Sequence, residues 1–368
     1  MKKVRILHLV SSLSIGSGVM GMIMNIYRNI NKEKVQFDFI YFIDSEKCYK
    51  DEILELGGSC FKIPKPSLNK TFIKEINKLF KSNSSKYIAL HNHELYLNFI
   101  FSPIAKINGI NNIITHSHTT MYSDKRISAI RNKILCIPIK YQSDYYFACS
   151  KAAGKFIYGQ KNIDRNKVIV VNNAIDCRKF KYSHERRYMI RNKLGLNDKL
   201  IVGHIGRFNA QKNHTFLIDV FYQIFNTNKN AHLVLVGTGP LEDKIRDKVR
   251  KLQIEENVTF LGQRKDINDI MSSIDVLVMP SLYEGLPVVG IEAQASGLPC
   301  IMSDEITDEV NICNVRFLNL NESSNVWANE IIRYLKDFKR EDTSEIIKMR
   351  GYDIELECKK LELFYLSL

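Results

Sequence analysis

The stretch DVLVMPSLYEGLPVVGIEAQ, residues 275–294, carries the pattern that decides the fold. Its first part, Val276–Met279, is a continuous apolar run, typical of a parallel strand that is covered on both faces. A turn with Glu284 and Gly285 follows, and Pro287 suits the first turn of a helix, where no backbone N–H is needed. The stretch therefore predicts a buried strand, a loop and a helix in succession.

The same alternation continues in both directions from this stretch. Between β-rich runs lie helical patterns, such as Phe216, Val220 and Ile224 at a spacing of four. Strands that alternate with helices predict α/β architecture with parallel, doubly wound sheets. The predicted strands are Val4–Val10, Phe37–Phe42, Tyr87–His91, Asn112–Thr115, Tyr145–Cys149, Val168–Val171, Leu200–Ile205, His232–Val236, Val258–Leu261, Val276–Met279 and Cys300–Met302.

The chain of 368 residues is long enough for two such domains at about 150 residues each. A strand gives way to a polar, aperiodic stretch at residues 172–182. We predict an N-terminal domain over residues 1–175, a C-terminal domain over residues 176–350, and a last helix, 351–368, that packs back on the first domain. No apolar run of about 18 residues occurs, so no membrane-spanning helix is predicted.

The positive net charge of the chain, +13, is concentrated in its first half. Residues 1–175 hold 26 Lys and Arg against 12 Asp and Glu, a net of +14, so the remainder nets −1. This excess indicates either a solvated, solubilising face or a surface for an anionic partner such as membrane lipid, a lipid phosphate or nucleic acid. No RNA- or DNA-binding motif is recognisable, so nucleic acid is not expected as a partner.

One basic segment, KRISAIRNKILCIPIK at residues 125–140, has apolar residues at helical spacing. Two interpretations fit it: a helix that faces the core with a solvated back, or an interfacial segment on the anionic inner leaflet of a membrane. The apolar stripe comprises Ile127, Ile130, Ile134 and Ile137, and the basic residues are Lys125, Arg126, Arg131, Lys133 and Lys140.

Two cations follow the predicted strand Leu200–Ile205. Arg207 leaves the carboxyl end of the strand, where open α/β sheets bind ligands, and Lys212 lies at the start of the next helix. Two fixed cations beside helix N–H groups suit a diphosphate, although such residues are also common as plain surface charges.

Glu284 and Glu292 stand on the loop and the helix that follow the strand Val276–Met279. Carboxylates accept hydrogen bonds from sugar hydroxyls, and Gly285 permits close backbone approach. Glu292 has apolar and small neighbours in the sequence, so we expect its carboxylate to have a partner in the protein.

A glycine-rich loop follows the first predicted strand, with Gly16, Gly18 and Gly21 in G-x-G-x-x-G spacing. Such a loop brings backbone N–H groups against a phosphate at a helix N-terminus, or it serves packing alone.

Two pairs of histidines end neighbouring predicted strands: His91 with His93, and His116 with His118. An H-x-H pair on a strand places both rings on one face, but no third ligand and no cysteine lie nearby in the sequence. The chain also lacks a D-x-D motif that would chelate a divalent metal with a nucleotide. We therefore predict no metal site.

The motifs GRFNAQKN (206–213), VGTGP (236–240), PSLYEGLPVVGIEAQASGLP (280–299) and VNNAID (171–176) together resemble the family-4 retaining glycosyltransferases of bacterial capsule and exopolysaccharide synthesis. The resemblance implies the GT-B fold, in which two Rossmann-like domains face each other across a cleft. It implies transfer of a sugar from a nucleotide diphosphate, expected to be UDP, to a hydroxyl of a growing, lipid-linked glycan. The N-terminal domain would bind the acceptor and the C-terminal domain the donor, without metal or other cofactor.

The resemblance also implies roles for single residues. Arg207 and Lys212 match the pair that grips the diphosphate, Glu284 the carboxylate on the transferred sugar, and Glu292 the one on the nucleotide ribose. The other donor-binding positions are Gly16, Gly18, Gly237, Gly239, Gln263, Arg264, Gly285 and Leu286. The active-site histidine corresponds to His118, with His116 as the alternative.

A cytoplasmic protein, peripheral on the inner face of the cell membrane, is the expected setting. Two other functions remain open at this point. A sugar-nucleotide epimerase has the same fold, and a membrane- or nucleic-acid-binding module would use the basic half. The chain also departs from the family at Asn172–Asp176, where members often read PNGID, so the geometry of this segment is not predicted.

Overall fold

The computed structural model describes residues 3–123 and 126–368. The chain divides into two compact units. The first comprises Met1–Ala174 and Ile354–Leu368, and the second comprises Ile175–Asp353. Each unit is built on one parallel sheet.

The sheet of the first unit has seven strands in the described part of the chain, in the order β3-β2-β1-β4-β5-β6-β7. The strands are β1 Val4–Leu9, β2 Val35–Tyr41, β3 Cys60–Lys62, β4 Ala89–Asn92, β5 Asn112–Ser117, β6 Tyr145–Ala148 and β7 Val168–Val170. Its helices are α1 Gly18–Asn29, α2 Lys50–Glu55, α3 Lys70–Asn83, α4 Asn98–Ile107, α5 Arg126–Cys136, α6 Ile139–Gln142, α7 Lys151–Tyr158, α8 Gln160–Asp164 and α17 Ile354–Leu366. Single 3₁₀ turns lie at Ser84–Lys86 and Leu95–Leu97.

The core of the first unit lies on both faces of this sheet. Phe37 and Phe39 of β2 are fully buried, because both faces of the strand are covered. Helix α1 begins where the Ser17 hydroxyl accepts a hydrogen bond from the Met20 N–H, and it buries Tyr27 against β2. Helix α17 packs on α1, β1 and β2.

The sheet of the second unit has six strands among the described residues, in the order β10-β9-β8-β11-β12-β13. They are β8 Leu200–Ile205, β9 Ala231–Val236, β10 Val258–Phe260, β11 Val276–Met279, β12 Cys300–Ser303 and β13 Val315–Leu318. The helices are α9 Cys177–Phe180, α10 His184–Leu194, α11 His214–Thr227, α12 Glu242–Lys251, α13 Ile267–Ser273, α14 Val288–Ala295, α15 Ser324–Lys336 and α16 Ser344–Ile347. Short 3₁₀ turns at Glu255–Asn257 and Asp308–Val310 and a π turn at Lys348–Tyr352 complete it.

In each unit the strand order reverses once beside the first strand. This point lies between β1 and β4 in the first unit and between β8 and β11 in the second. Loops leave in opposite directions at such a position and open a crevice at the carboxyl ends of the strands, where α/β sheets bind ligands. The order of the strands therefore marks one place in each unit for a site.

The predicted strands are confirmed, with ends that agree within two residues. Two strands were not predicted, β3 and β13, and both lie at a sheet edge. The last helix of the chain, α17, begins at Ile354, three residues after the predicted start.

The basic segment after β5 forms α5, and its isoleucines face outward. Ile127 is 86% exposed, and Ile130, Ile134 and Ile137 are each more than half exposed. The interpretation of this stripe as core-facing is therefore wrong, because the only buried side chain of α5 is Asn132. Lys125 lies outside the described residues. No helix in the described ranges has the length and apolar character needed to cross a membrane.

Candidate functional site

The loops after β8, β9 and β10 are joined by backbone hydrogen bonds at the carboxyl edge of the second sheet. The N–H of Phe208 donates to the carbonyl of Thr238 at 3.1 Å, and the N–H of Gly237 donates to that of Gly262 at 2.8 Å. Gly237 has a φ of +134°, and a Cβ there would lie 2.1 Å from the carbonyl oxygen of Gly206. Glycine is required for this approach, which holds the three loops together.

Lys212 and Glu284 meet at the reversal point between β8 and β11. The Lys212 ammonium donates to Glu284 Oε1, and the side chains are only 14% and 10% exposed. The Ser281 hydroxyl also donates to Oε1, at 3.0 Å, and Gln211 Nε2 donates to Oε2 at 3.2 Å. Because these donors surround it, the Glu284 carboxylate is fixed in one position.

The Arg207 side chain, in contrast, is exposed, and its guanidinium makes no hydrogen bond or ion pair to the described part of the chain. It follows β8 directly, and the backbone of its neighbours Gly206 and Phe208 is held by the bonds to the β9 loop. The aliphatic part of Lys212 lies against Gly206, since a Cβ on that glycine would be 3.2 Å from Lys212 Cδ. A planar guanidinium on a fixed loop beside a lysine can bind a phosphate with two parallel hydrogen bonds.

Glu292 lies in the second turn of α14 and is half-buried. Burial raises the pKa of its carboxyl group to about 7, and Lys179 offsets this effect only in part. We expected this carboxylate to have a partner in the protein: among the described residues it makes no hydrogen bond, and Lys179 is its electrostatic partner. A carboxylate that makes no hydrogen bond within the protein can accept hydrogen bonds from the hydroxyl groups of a ligand.

The other positions expected to bind the donor have diverse surroundings. A Cβ on Gly285 would meet no atom within 4 Å, so packing in the protein does not require a glycine there. Leu286 is buried. The guanidinium of Arg264 is paired with Asp266 at 2.8 Å and 2.5 Å, whereas Gln263 is exposed. Among these residues only Arg264 is held by an ion pair.

In the first unit, His118 follows β5 and is half-buried. Its Nε2 lies 2.8 Å from Nδ1 of His93, and its ring stacks on that of His116 with centroids 4.1 Å apart. Burial lowers the pKa of His118 well below the usual value of about 6.5, so the ring is neutral at pH 7. A neutral imidazole can accept a proton or a hydrogen bond from a ligand.

Of the glycines predicted to form a loop after β1, only Gly16 lies before α1, whereas Gly18 and Gly21 lie at the beginning of that helix. A Cβ on Gly18 or Gly21 would meet no atom within 4 Å, and on Gly16 only Ser14 Oγ at 3.7 Å. The interpretation of these glycines as packing residues therefore has no support at Gly18 and Gly21. The backbone here can approach a ligand, and the N-terminus of α1 points its N–H groups toward the loop.

Sequence reasoning did not single out Gln211 and Ser281, which fix Glu284 together with Lys212. A signal was present, since both adjoin motif residues and carry side-chain donors. The sequence also predicted no metal site, because no third ligand stands near His116 and His118 along the chain. The fold supplies one, because the parallel pairing of β4 and β5 brings His93 to them.

The C-terminal part of the chain matches a known protein family. Residues 187–350 match the family described as Glycosyl transferases group 1. EpsF of Bacillus subtilis (strain 168), which is named as a glycosyltransferase, is 36% identical over 360 residues, 95% of this chain and 93% of the relative. An Escherichia coli protein named UDP-Gal:alpha-D-GlcNAc-diphosphoundecaprenol alpha-1,3-galactosyltransferase is 23% identical over 386 residues, 100% of this chain and 97% of its own.

Solved structures show the same fold. Anabaena Alr3699/HepE in complex with UDP-glucose superposes with a TM-score of 0.81 at 19% identity, over 99% of this chain and 100% of that chain. WaaG, a glycosyltransferase involved in lipopolysaccharide biosynthesis, gives a TM-score of 0.73 at 12% identity, over 99% and 100%. The fold is that of the GT-B glycosyltransferases, and with its match to EpsF over nearly the whole length the chain belongs to the group 1 glycosyltransferases.

Proposed function

We propose that this glycosyltransferase moves a sugar from a UDP-sugar to a hydroxyl of a lipid-linked glycan in surface polysaccharide synthesis, with retention of the anomeric configuration. The observation that carries the proposal is the arrangement at the carboxyl edge of the second sheet. There an unpaired Arg207 follows β8, and Lys212 is held against Glu284 across the reversal point.

Cleavage of the bond between the sugar and the diphosphate builds negative charge on the phosphate and positive charge on the sugar. Arg207, Lys212 and the backbone N–H groups of the β8 loop would stabilise the first of these charges. Cations and dipoles fixed in advance are effective because they need not reorganise in the transition state. In this proposal the departure of the diphosphate requires no metal ion.

Retention is proposed to arise from attack of the acceptor on the same face that the diphosphate leaves. A double displacement through the protein would need a free carboxylate at the sugar. The Glu284 carboxylate does not suit that role, because it accepts hydrogen bonds from Lys212, Ser281 and Gln211. We assign it instead to orienting the transferred sugar, and Glu292 to the ribose hydroxyls. His118 is assigned to the acceptor side of the reaction.

Two comparisons support the donor and the acceptor. The structures of Alr3699/HepE are complexes with UDP-glucose and with UDP. The name of the E. coli relative specifies a UDP-sugar and an acceptor linked to diphosphoundecaprenol. We infer a UDP-sugar and a lipid diphosphate acceptor for this chain by analogy with these two proteins.

A cavity of about 520 Å³ in the first unit supports the lipid part of the acceptor. Its wall is mostly apolar, with Phe42, Phe99 and Ile100, and the cations Lys65 and Arg131 also line it. An apolar cavity with cations suits a hydrocarbon chain that ends in a phosphate.

The exposed face of α5 adjoins this cavity and supports work at a membrane. It presents Ile127, Ile130 and Ile134 to solvent, and exposed basic residues flank them. Such a helix binds in the plane of an anionic interface, with its apolar side in the lipid. We therefore propose that the protein acts in the cytoplasm, peripherally on the inner face of the membrane.

A screen of UDP- and GDP-sugars for nucleotide release tests the proposal, with and without a lipid diphosphate sugar as acceptor. We expect one UDP-sugar to give release that rises in the presence of the acceptor, together with an α-linked product from an α-configured donor. Inversion of the anomeric configuration, or nucleotide release that is the same with and without the lipid acceptor, would contradict the proposal. Conversion of the donor alone into a C2 epimer would favour the epimerase instead.

A further inference from the structure

Five histidines gather at the carboxyl ends of three neighbouring strands in the first unit. Their rings are close: the centroids of His91 and His93 lie 4.4 Å apart, and those of His116 and His118 lie 4.1 Å apart. His8 of β1 stands opposite His91 in the parallel register, with its Nδ1 3.0 Å from Nε2 of His93. The proposed role of His118 in transfer accounts for one of these rings and leaves four without a function.

We propose that His93, His116 and His118 form a binding site for a divalent transition-metal ion of the zinc class. The three side chains offer nitrogens that all lie within 4.8 Å of one another. Zinc holds imidazole nitrogens at about 2.0–2.1 Å, which places tetrahedral ligands roughly 3.3 Å apart. Small ring movements would bring the three nitrogens to that spacing.

The ligand set selects the kind of ion. Imidazole suits Zn²⁺, Co²⁺, Ni²⁺ and Cu²⁺, whereas Mg²⁺ and Ca²⁺ require oxygen ligands. Within the described ranges the two groups of potential metal ligands contain histidine alone, without carboxylate or cysteine. We therefore expect zinc and cobalt to bind and magnesium not to bind.

Two of the three proposed ligands already have partners on their outer nitrogens, as metal-bound histidines do. Nε2 of His93 faces Nδ1 of His8, and Nδ1 of His116 lies 3.1 Å from Nε2 of His91. When the protons of these two contacts are on Nε2 of His93 and on Nδ1 of His116, the other ring nitrogens, Nδ1 of His93 and Nε2 of His116, each keep a lone pair for the ion. His91 in turn can donate from Nδ1 to the hydroxyl of Tyr365, at 2.7 Å.

One nitrogen of this set has no other use in the described structure. Nε2 of His116 is buried and makes no hydrogen bond to any described residue. A buried polar atom without a partner costs free energy, so a ligand that satisfies it is favoured.

His118 gives this group a route for entry. It is half-buried, whereas a second group, His8, His91 and His93, is entirely buried. The cavity beside that second group measures only about 10 Å³, room for about one water molecule, and Met22 and Phe37 line it together with the histidines. Three histidines with one partly exposed also leave a fourth position on the ion for water.

Metal binding can be measured without activity. The protein, purified without a polyhistidine tag and treated with chelator, is titrated with Co²⁺ and followed by visible absorption, and with Zn²⁺ by calorimetry. We expect one equivalent of each ion to bind, with the intense visible bands of four-coordinate Co²⁺ and no thiolate charge-transfer band. Mg²⁺ should give no heat of binding.

His118→Ala should weaken binding of Co²⁺ and Zn²⁺ by at least about tenfold and abolish the visible bands, since it removes a direct ligand. Tyr365→Phe keeps all five rings and should weaken binding by up to about tenfold, because it removes the hydrogen-bond partner of His91, which in turn contacts the ligand His116. His184→Ala removes an exposed histidine of the second unit and should bind like the wild type. Circular dichroism and thermal unfolding confirm that each variant is folded.

Two results would overturn the site: a wild-type protein that binds neither ion stoichiometrically, or a His118→Ala variant that keeps the cobalt bands. A supporting consequence concerns activity. An ion on His118 occupies its lone pair, so added Zn²⁺ should inhibit sugar transfer and chelator should restore it. This last readout depends on the proposed function, whereas the cobalt spectrum does not, so the two proposals can fail separately.

Discussion

Lys212 and Glu284 lie 72 positions apart in the chain, and the second sheet brings them into a largely buried ion pair. The same lysine is the residue proposed to bind the donor diphosphate, so in the free protein its charge is already shared with a carboxylate. A diphosphate brings two or more negative charges to this place. We infer that Glu284 keeps the ammonium oriented before the donor arrives, while Arg207 supplies the unpaired positive charge.

Arg207→Ala and Lys212→Ala should each reduce kcat/KM roughly 30- to 1000-fold. This corresponds to a loss of about 2–4 kcal/mol of transition-state stabilisation. Each removes a cation that faces developing phosphate charge. Steady-state kinetics with the donor found in the screen measures this loss. Arg250→Ala, which removes an exposed arginine of α12, serves as the control and should leave kcat/KM unchanged. Turnover like the wild type in either site variant would refute the diphosphate assignment.

Glu292→Gln should weaken binding of free UDP, because its carboxylate is assigned to the ribose. Glu284→Gln should instead reduce kcat and leave the affinity for UDP within a few-fold of the wild type, because it is assigned to the sugar. Calorimetry with UDP, combined with kcat, separates the two effects. Equal loss of UDP affinity in both variants would show that the division of roles is wrong.

The raised pKa of Glu292, about 7, predicts an effect on stability. Between about pH 4.5 and 7 the unfolded chain releases this proton while the folded chain retains it. The free energy of unfolding therefore falls as the pH rises through that window. Glu292→Gln removes this loss, so relative to the wild type the variant should gain about 1–3 kcal/mol at pH 8 and much less at pH 5.

Thermal unfolding at the two pH values measures the difference. Glu322→Gln neutralises an exposed carboxylate of the same unit and should show no such dependence on pH. If the advantage of Glu292→Gln is the same at pH 5 and pH 8, the carboxyl group of Glu292 does not titrate in this range.

Sugar transfer should persist in EDTA, because the proposed site neutralises the diphosphate with Arg207, Lys212 and backbone N–H groups. Initial rates with and without EDTA, in protein first stripped of metal, measure this. Loss of activity in EDTA with recovery in Mg²⁺ or Mn²⁺ would mean that a chelated cation takes part in the departure of the diphosphate.

The protein should pellet with vesicles that contain anionic lipid and not with neutral ones, and about 0.5 M salt should release it, because salt screens the attraction. Replacing Arg126, Lys133 and Lys140 with Gln should abolish pelleting. Ile130→Ser with Ile134→Ser should reduce it as well, because both side chains are exposed and are proposed to enter the lipid.

A variant of equal charge controls for the loss of positive charge, and it should pellet like the wild type. It replaces three exposed lysines of the second unit with Gln: Lys229, Lys244 and Lys336. Pelleting that is the same with anionic and neutral vesicles, or that survives the changes in α5 and at Lys140 of α6, would exclude this segment as the anchor.

The inner strands could be predicted because parallel strands buried on both faces read as apolar runs, as in Val276–Met279. The two strands that were missed, β3 and β13, lie at the sheet edges and include partly exposed residues, so no apolar run marks them. For α5, in contrast, an apolar pattern is present, but the direction in which its isoleucines face could not be predicted. Their periodicity predicts a helix, but it does not say whether the apolar side faces the core or a partner outside the chain.

The site shows the same division. The cations and carboxylates of the second unit were predictable, since residues at the carboxyl ends of neighbouring parallel strands converge. Of the histidine cluster, His91, His93, His116 and His118 could be placed at neighbouring strand ends in the same way. His8 could not be added to them, because His8 and His93 are 85 positions apart and meet only through the order of the strands. Neither hydrogen bonds nor burial of this kind can be read from spacing alone.

Helix α17 belongs to the first unit but is synthesised after the whole of the second. Its Leu361 and Tyr365 are buried in the core of the first unit, and Tyr365 bonds to His91. While the ribosome translates residues 175–353, the first unit therefore lacks part of its core and exposes the apolar surface that α17 later covers. The second unit can close its own core first, although the first began earlier. The core that synthesis begins first is therefore the one that synthesis completes last.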